Sequence, residues 1–505
     1  MICRLPFVFV LLLGTGSAFG GSPRETAERF DRLLMQSEKL VASDIPAATD
    51  ATLLRRVWMD LCGRVPPTVD VSTFTADKDP KKYQTLVSAL LVRDEFAEHW
   101  SGLLAEQLLQ QRPQRSELYD GPMLRRFLQD SLKSGKPWNT IGSELIQARG
   151  VYNANGAVNY LLRYQADPDQ LAGAVGQTLM GITLKCAQCH DHPFAKWKQK
   201  QFRETAAVFA RTRRFEYVNE QNEEYLVAVL DSGTGEYRLK AAASSKSNKK
   251  NALRKVVLPR LLNGTPIASG KDRRQQFAEW VTAARNPYFA RHAVNTVWKQ
   301  LFGVGLVKSF DEIGANGSRQ KLLDLLTDDF VANGYNLRRL LGVIVSSQAY
   351  RSRCRPAGVK GGPVPRYARY VLRPLSPDQV YRSILAVTQF DPADHYFDDA
   401  DEIPPDLPLL ALGAHAPSVQ RSLVLQNGEY AQDSIRAGAR RVRKLLGRKP
   451  GTVHIQWMFR ATLSRNPTDE ESRAMSRLLE EHPGLDGLED LLWVLFNSVE
   501  FNTAH

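Results

Sequence analysis

Residues 86–109 read LVSALLVRDEFAEHWSGLLAEQLL, and apolar residues recur along this stretch at three- and four-residue spacing. The same spacing is found in LAGAVGQTLMGITLK (171–185), HIQWMFRATL (454–463) and LEDLLWVLFNSVEF (488–501). This period places the apolar side chains on one face of an α-helix, which then packs against other helices. The pattern therefore predicts a mainly α-helical protein of two lobes with short connections.

Two further signals concern helix ends. KLLDLLTDDFVANGYNLRRLLGVIVSSQAY (321–350) has helical period on both sides of Asn333-Gly334, a pair typical of a helix C-terminus, so we expect two helices there. The sequence TDEE (468–471) fits a capping box in which Thr468 is the N-cap and Glu471 reaches back to it.

One segment has a different pattern. YLVAVLDSGTGEYRLKA (225–241) contains two short β-prone runs around a Gly-rich turn, which predicts a small β-hairpin insertion near 215–240. The small, polar and basic run that follows is typical of a linker. We therefore expect one domain over 21–240, a basic linker over 241–254 and a second, helical domain over 255–505.

The N-terminus resembles a secretory signal peptide. Arg4 precedes an apolar run from Leu5 to Leu13, and Ala18-Phe19-Gly20 is a small-x-small cleavage site, so we expect residues 1–20 to be removed. The apolar run is too short to span a bilayer, and no later stretch is apolar enough to do so. The expected location is extracytoplasmic, in the periplasm, at the cell surface or secreted.

Composition narrows the class of protein. The chain has 505 residues, 43% hydrophobic and 24% charged, which is typical of a soluble globular protein of two or three domains. The net charge of +13 is concentrated in KSNKKNALRK (246–255) and RAGARRVRKLLGRK (436–449). These clusters either attract anionic lipid, acidic polysaccharide or an acidic redox protein, or are simply solvated. Without a recognisable binding module, we expect no nucleic-acid partner.

The densest group of reactive side chains is KCAQCHDHPF (185–194). The spacing C-x-x-C-H, from Cys186 through Ala187 and Gln188 to Cys189 and His190, is that of covalent haem c: two thioethers and one imidazole ligand to the iron. Such a haem needs a cavity beside residues 186–190 that both sulfurs face. Met180 or a water is the expected sixth ligand; the other histidines considered are His192, His99 and His292.

Other interpretations of this motif stay open. Zinc is the second cofactor considered, with His190 as a metal ligand beside Cys186, Cys189 and His192, although structural zinc sites usually join two separated ligand pairs. A disulfide between the two cysteines is a third reading, and a plain structural turn is a fourth. The next segment, FAKWKQKQFRETAAVFARTRR (194–214), predicts a helix with Pro193 at its first position.

Sequence signatures of common enzymes are missing. The chain contains no G-x-S-x-G nucleophile elbow, no H-E-x-x-H zinc helix and no P-loop. We therefore assign no catalytic residue, and the sequence does not decide whether the protein is an enzyme.

Longer stretches resemble known families. LLRRVWMDLCGRVPPTVDVSTF (53–74) and CAQCHDHPFAKW (186–197) are similar to the planctomycete DUF1549 family, also called PSCyt2. Its usual partner, DUF1553 or PSD1, is resembled by FAEWVTAARNPYFARHAVNTVWKQLFGVGLVKSFDEIGANG (277–317), LLGVIVSSQAYRS (340–352) and LFNSVEFN (495–502). The first domain is thus expected to be DUF1549-like and the second DUF1553-like.

The resemblance implies an exported protein whose family has no assigned biochemical function. Many members carry an additional N-terminal cytochrome-c-like module, which implies redox chemistry, whereas we expect no such module between the signal peptide and Arg55. Residues that match the family motifs, including Asp60, Asn295, Trp298 and the glycines of GVG (303–305), bring no known role with them. For Asp60 we expect a pairing with Arg55 or Arg56 in a packing joint between helices.

Overall fold

The computed structural model describes residues 21–116, 118–219, 224–239, 256–268, 270, 272–308, 310, 317–354, 367–390 and 419–504. The predicted signal peptide (1–20) and the predicted linker (241–254) lie outside these residues. The basic cluster at 246–255 lies outside them as well.

Helices dominate the described part of the chain, which confirms the predicted fold class. In chain order they are α1 (Pro23–Glu38), α2 (Asp50–Cys62), α3 (Thr68–Ala76), α4 (Lys82–Leu90), α5 (Asp94–Leu109), α6 (Gly121–Lys133), α7 (Trp138–Gln147), α8 (Val158–Arg163), α9 (Pro168–Leu179), α10 (Gln199–Ala206), α11 (Arg273–Thr282), α12 (Phe289–Phe302), α13 (Ser318–Ala332), α14 (Leu337–Ser346), α15 (Gln348–Arg351), α16 (Pro377–Thr388), α17 (Val419–Asn427), α18 (Glu429–Leu446), α19 (Thr452–Leu463), α20 (Asp469–Glu481) and α21 (Leu485–Phe496). Short 3₁₀ turns cover Ala42–Asp44, Leu184–Ala187 and Ala207–Phe209.

The predicted helix ends are largely confirmed. The break at Asn333-Gly334 separates α13 from α14. Thr468 accepts a hydrogen bond from the backbone N–H of Glu471, and the Glu471 carboxylate accepts one from the backbone N–H of Thr468. The stretch 86–109 is divided between two helices, the end of α4 and the whole of α5. Arg93, directly before α5, has an extended backbone, so the two helices are not continuous.

The strands are short: β1 (Gly150–Val151), β2 (Thr212–Asn219), β3 (Glu224–Asp231), β4 (Tyr237–Arg238), β5 (Val256–Val257), β6 (Arg373–Pro374) and β7 (Thr503–Ala504). A β-hairpin is present, but its pairing differs from the prediction. β3 pairs antiparallel with β2, in register from Thr212 opposite Asp231, and its other edge pairs with β1. The Gly-rich stretch after β3 leads to β4, which pairs with β5.

The predicted helix over 194–214 is wrong at both ends. Helix α10 begins at Gln199 instead of Pro193, and residues from Thr212 onward form β2. Trp197, Phe202 and Phe209 are buried as an inward-facing apolar stripe would be, whereas the Phe194 side chain is 87% exposed.

Buried apolar side chains of the described residues form two large clusters. The larger core runs in sequence from Ala27 to Tyr370 and includes side chains from both sides of the predicted linker. Across that division the rings of Phe209 and Phe277 lie 5.7 Å apart. The smaller core uses residues 375–504 together with Met59 and Val65 of the α2 region. The domain boundary at 241–254 stays a prediction, and the larger core spans it.

No helix in the described ranges combines the length and the apolar character that crossing a bilayer requires. This agrees with the sequence expectation for the chain after residue 20.

Candidate functional site

The C-x-x-C-H motif lies on the surface loop between α9 and α10. Cys186 sits in the 3₁₀ turn Leu184–Ala187, and Cys189 and His190 follow directly. Both cysteines are free thiols and both are exposed. His190 is exposed too. The loop therefore presents two sulfurs and one imidazole to solvent from a stretch of five residues.

The two histidines of the loop have different hydrogen bonds. His190 Nδ1 donates to the backbone oxygen of Asp191 at 2.7 Å, so the Nε2 nitrogen carries the lone pair. This is the arrangement that metal-ligating histidines use to fix their tautomer and orientation. His192 has both ring nitrogens engaged: Nδ1 accepts from the backbone N–H groups of Phe194 and Ala195, and Nε2 lies 3.0 Å from the Thr183 hydroxyl. His190 is thus the available ligand, and His192 braces the loop.

The start of α10 holds the other side of the loop. The Gln199 amide donates to the backbone oxygens of Gln188 and Cys189, at 3.1 and 2.6 Å. Its backbone N–H donates to the Asp191 carboxylate at 2.9 Å, and Lys198 Nζ lies 3.1 Å from the same group. The Gln199 hydrogen bond and then Lys198 hold the pKa of Asp191 below its ordinary value. The motif backbone is therefore fixed without any bound group.

These residues fit a covalent haem better than a zinc ion. Covalent haem attachment needs two accessible thiols, and iron ligation needs a neighbouring imidazole with a free nitrogen; the loop has all three groups. A zinc ion needs three or four ligands converging on one point, and no group of three or more His, Cys, Asp and Glu side chains converges in this way within the described ranges. The two thiols are not bonded to each other in this structure, and the disulfide alternative stays a prediction.

The candidate sixth ligands do not lie open at this loop. Met180 is fully buried within the larger core, so its sulfur packs among apolar side chains. His292 Nε2 donates to the backbone oxygen of Thr178 at 3.1 Å, and its Nδ1 is turned to Gly181. Burial lowers the pKa of both His292 and His99 to about 4. Met180, His292 and His99 are therefore not available as a second iron ligand at this loop.

Three cavities follow one side of α5, and sequence reasoning missed them. Their volumes are ≈590, ≈280 and ≈990 Å³. All three are lined by Leu103; the first two share His99, and the last two share Arg373. The largest reaches Thr183, whose hydroxyl contacts His192, so it adjoins the base of the motif loop. Cys186, Cys189 and His190 do not line any of these three cavities, so none of the three is the expected haem cavity that both sulfurs face.

The motif arginines of α2 have structural roles. Arg55 donates to the backbone oxygens of Thr462 and Phe501, at 2.6 and 2.9 Å, and so ties α2 to the smaller core. Arg56 donates to the backbone oxygens of Tyr350 and Ser352, beside the larger core. Both side chains are fully buried, and each guanidinium also lies over an aromatic ring, that of Arg55 over Phe501 and that of Arg56 over Tyr370.

The predicted partner of Asp60 is wrong. Its carboxylate pairs with Arg373 of β6 and accepts hydrogen bonds from the hydroxyls of Tyr350 and Tyr370, at 2.7 and 3.1 Å. Arg55 and Arg56 are turned to backbone oxygens instead. Asp60 therefore does join packed elements, as expected, but its partner is Arg373, which is distant in the sequence.

The motif around GVG (303–305), which matches the second family, also has a structural role. The Asn295 amide exchanges two hydrogen bonds with the backbone of Val307, at 3.0 and 3.1 Å. Gly305 allows this, because a Cβ there would lie 2.7 Å from Asn295 Nδ2. The Trp298 ring stacks on Phe302 with centroids 4.1 Å apart. Asn295, the GVG residues and Val307 line the largest of the three cavities at the end of α12.

The fold and the loop define a class: a mainly α-helical protein with an exposed C-x-x-C-H loop next to a polar cleft. Residues 30–214 match the family described as "Protein of unknown function (DUF1549)", PSCyt2, and residues 273–395 match "Protein of unknown function (DUF1553)", PSD1. The chain belongs to this DUF1549/DUF1553 family. Comparison with curated proteins and with solved structures finds no match. The planctomycete source stays a prediction.

Proposed function

We propose that this chain is an exported electron-transfer protein that carries one covalent haem c on Cys186 and Cys189, with His190 as an iron ligand. The observation that carries the proposal is the state of the loop: two free, exposed thiols stand next to an imidazole whose Nδ1 is already bonded to a backbone oxygen. That bond leaves Nε2 for the iron. The haem would supply one-electron redox chemistry.

The attachment step balances without an oxidant. Each thiol adds across one vinyl group, so its sulfur bonds the carbon next to the ring and its proton goes to the terminal carbon. The braces from Gln199 and His192 hold the loop backbone while the thiols react. The exposed ring of Phe194 is an apolar surface that a porphyrin would cover.

The partner is proposed to be an acidic redox protein or another anionic surface, including acidic polysaccharide. The supporting observation is α18, which exposes Arg440, Arg443 and Lys444 on its outer side, followed by Arg448 and Lys449. Among the described ion pairs, none involves these five side chains. Attraction through such a surface weakens with salt, since the Debye length falls from about 10 Å at 0.1 M to about 3 Å at 1 M.

The test is expression of the full chain in a periplasm with cytochrome-c maturation, followed by an absorption spectrum and an intact mass. We expect a haem spectrum and the added mass of one haem that survives denaturation. The double variant Cys186→Ser/Cys189→Ser should lose both. The matched control Cys354→Ser removes a half-buried thiol outside the motif and should keep both.

Two results would overturn the proposal. A colourless protein of unmodified mass would leave the motif as a structural turn. A colourless protein lighter by two hydrogens would identify a Cys186–Cys189 disulfide, and the alternative function, a non-catalytic structural or assembly protein at the cell surface, would then stand.

A further inference from the structure

The ≈590 Å³ cavity lies between α5 and α6, and the start of α16 closes one side. Its volume falls in the range of small-molecule sites, which is about 300–1,000 Å³. Its walls are mostly polar. They consist of side chains between residues 98 and 133, together with Ser376 and Asp378. We propose that this cavity binds a small hydroxylated carboxylic acid, whose carboxylate is held by Arg125.

Arg125 is a guanidinium in this cavity that lacks a carboxylate partner. Its hydrogen bond in the structure runs from Nη2 to the backbone oxygen of Glu98, at 3.2 Å. Within the described ranges no Asp or Glu oxygen comes within ion-pair distance of Arg125. A planar guanidinium with free N–H groups is suited to bind a carboxylate through two parallel hydrogen bonds.

The nearest acidic groups both pair with another arginine, Arg382. Arg382 donates to Asp378 at 2.9 Å and lies 3.1 Å from the Glu98 carboxylate. Burial alone would raise the pKa of Asp378, but Arg382 and then Arg125 hold it below its ordinary value. Asp378 and Glu98 both pair with Arg382, whereas Arg125 makes no ion pair within the described ranges and keeps N–H groups for a ligand.

His99 supplies an uncharged polar wall. Its side chain is 4% exposed and lines the cavity. The Nδ1 atom has no hydrogen-bond partner and is sealed against Gly63, where a Cβ would lie only 2.5 Å away. Because Nδ1 is turned to Gly63, Nε2 is the nitrogen that faces the cavity. An imidazole edge of this kind bonds a ligand hydroxyl, and Gln129 and Ser376 offer further hydrogen-bonding groups on the walls.

The walls carry charges of both signs, and Arg112, Arg126 and Lys133 line the cavity beside Arg125. Glu106 and Asp130 also line the cavity and have no ion pair within the described residues. A carboxylate suits this site by its shape, since its two oxygens match two parallel N–H groups of the Arg125 guanidinium. Carboxylate and phosphate thus become distinguishable outcomes of one experiment.

The test is isothermal titration of the full chain with glucuronate and gluconate, with glucose and inorganic phosphate as comparison ligands. We expect the two acids to bind and both comparison ligands to bind at least about tenfold more weakly. Arg125→Gln should weaken the acids by about tenfold or more. The matched control is Arg338→Gln, since Arg338 also donates to backbone oxygens near α6, at 2.8 and 3.1 Å, but does not line the cavity.

A second variant keeps the test decisive if Arg125→Gln does not fold. Gly102 lines the cavity, and a Cβ there would lie 3.6 Å from Arg125 Nε, so Gly102→Leu should fill the space in front of the guanidinium and abolish binding. The proposal is wrong if neither acid binds the wild-type chain, if a folded Arg125→Gln binds them unchanged, or if phosphate binds as well as they do.

Discussion

Removal of the Asp60 carboxylate should destabilise the protein strongly. This side chain is fully buried on α2, where it pairs with Arg373 and accepts hydrogen bonds from Tyr350 and Tyr370. Its own backbone oxygen accepts a further hydrogen bond from Trp100 at 3.0 Å. Asp60 therefore joins α2, α5, α15 and β6, the last of which leads into the smaller core.

The size of the stability loss follows from the groups that Asp60→Ala leaves unpaired: the Arg373 guanidinium and the hydroxyls of Tyr350 and Tyr370. Breaking one partner of a buried ion pair costs about 3–5 kcal/mol, and a buried hydroxyl without an acceptor adds about 1–3 kcal/mol. Burial lowers the pKa of Arg373 to about 10, so it stays a cation at neutral pH. Its side chain is 17% exposed at the edge of the ≈280 Å³ cavity, which lets water solvate it. We therefore expect about 3–4 kcal/mol in total, and about 2 kcal/mol for Asp60→Asn, which keeps an acceptor.

The assay is urea unfolding followed by tryptophan fluorescence and circular dichroism, in a double-mutant cycle with Arg373→Met. A coupling energy of about 1.5 kcal/mol or more is expected, since each single variant leaves the other group unpaired. The control is Arg24→Ala, which removes an exposed pair with Glu28 on α1 and should cost under about 1 kcal/mol. A loss below about 1 kcal/mol in Asp60→Ala, or an additive cycle, would refute the reasoning.

Two further predictions concern pH and have opposite signs. Burial raises the pKa of Asp31 to about 6, so the folded state favours the protonated carboxyl group. The contribution of this group to the free energy of unfolding is therefore complete below pH 3.8 and is lost as the pH rises through 6. Asp31→Asn keeps the acceptor for the Gln348 N–H and should stabilise the protein by up to about 3 kcal/mol at pH 7 but not at pH 3.5, as unfolding curves at both values would show; equal effects at both would contradict it. Arg465 contacts Glu471 and Glu500 and lowers the pKa of Glu471 to about 2, so this stability is present above pH 4.5 and lost as the pH falls towards 2. Because the pair is about a third exposed, Arg465→Ala should cost only about 1 kcal/mol at pH 7 and less in acid, and an acid-insensitive loss would exclude this pair as the cause.

The helical periods predicted the fold class because each depends only on residues within one helix. The helix predicted over 194–214 begins too early because of side-chain hydrogen bonds, which the spacing of apolar residues does not reveal. His192 Nδ1 accepts the backbone N–H groups of Phe194 and Ala195, which fixes these residues in a turn and delays α10 until Gln199. The pairing of β2 with β3 was not predicted for a similar reason, since it is set by contacts across the hairpin and not by the composition of β2.

The motif loop was visible in the sequence because its reactive groups are neighbours along the chain. The cavity along α5 was not, since His99 and Asp378 lie on distant segments and each alone has an unremarkable local context. One signal was available: DEFAEHW (94–100) places Glu98 and His99 within an otherwise apolar period, and polar residues at such positions indicate either a buried partner or a cavity.

Residues from both family regions build the ≈590 Å³ cavity and the larger core. The walls of the ≈590 Å³ cavity come from α5 and α6, within residues 30–214, and from the start of α16, within residues 273–395. Arg382 of the second region is the cation that neutralises Glu98 of the first. The larger core is likewise built from both, so neither region contains a complete apolar interior or a complete cavity. The larger core and the walls of this cavity therefore each depend on residues from both regions.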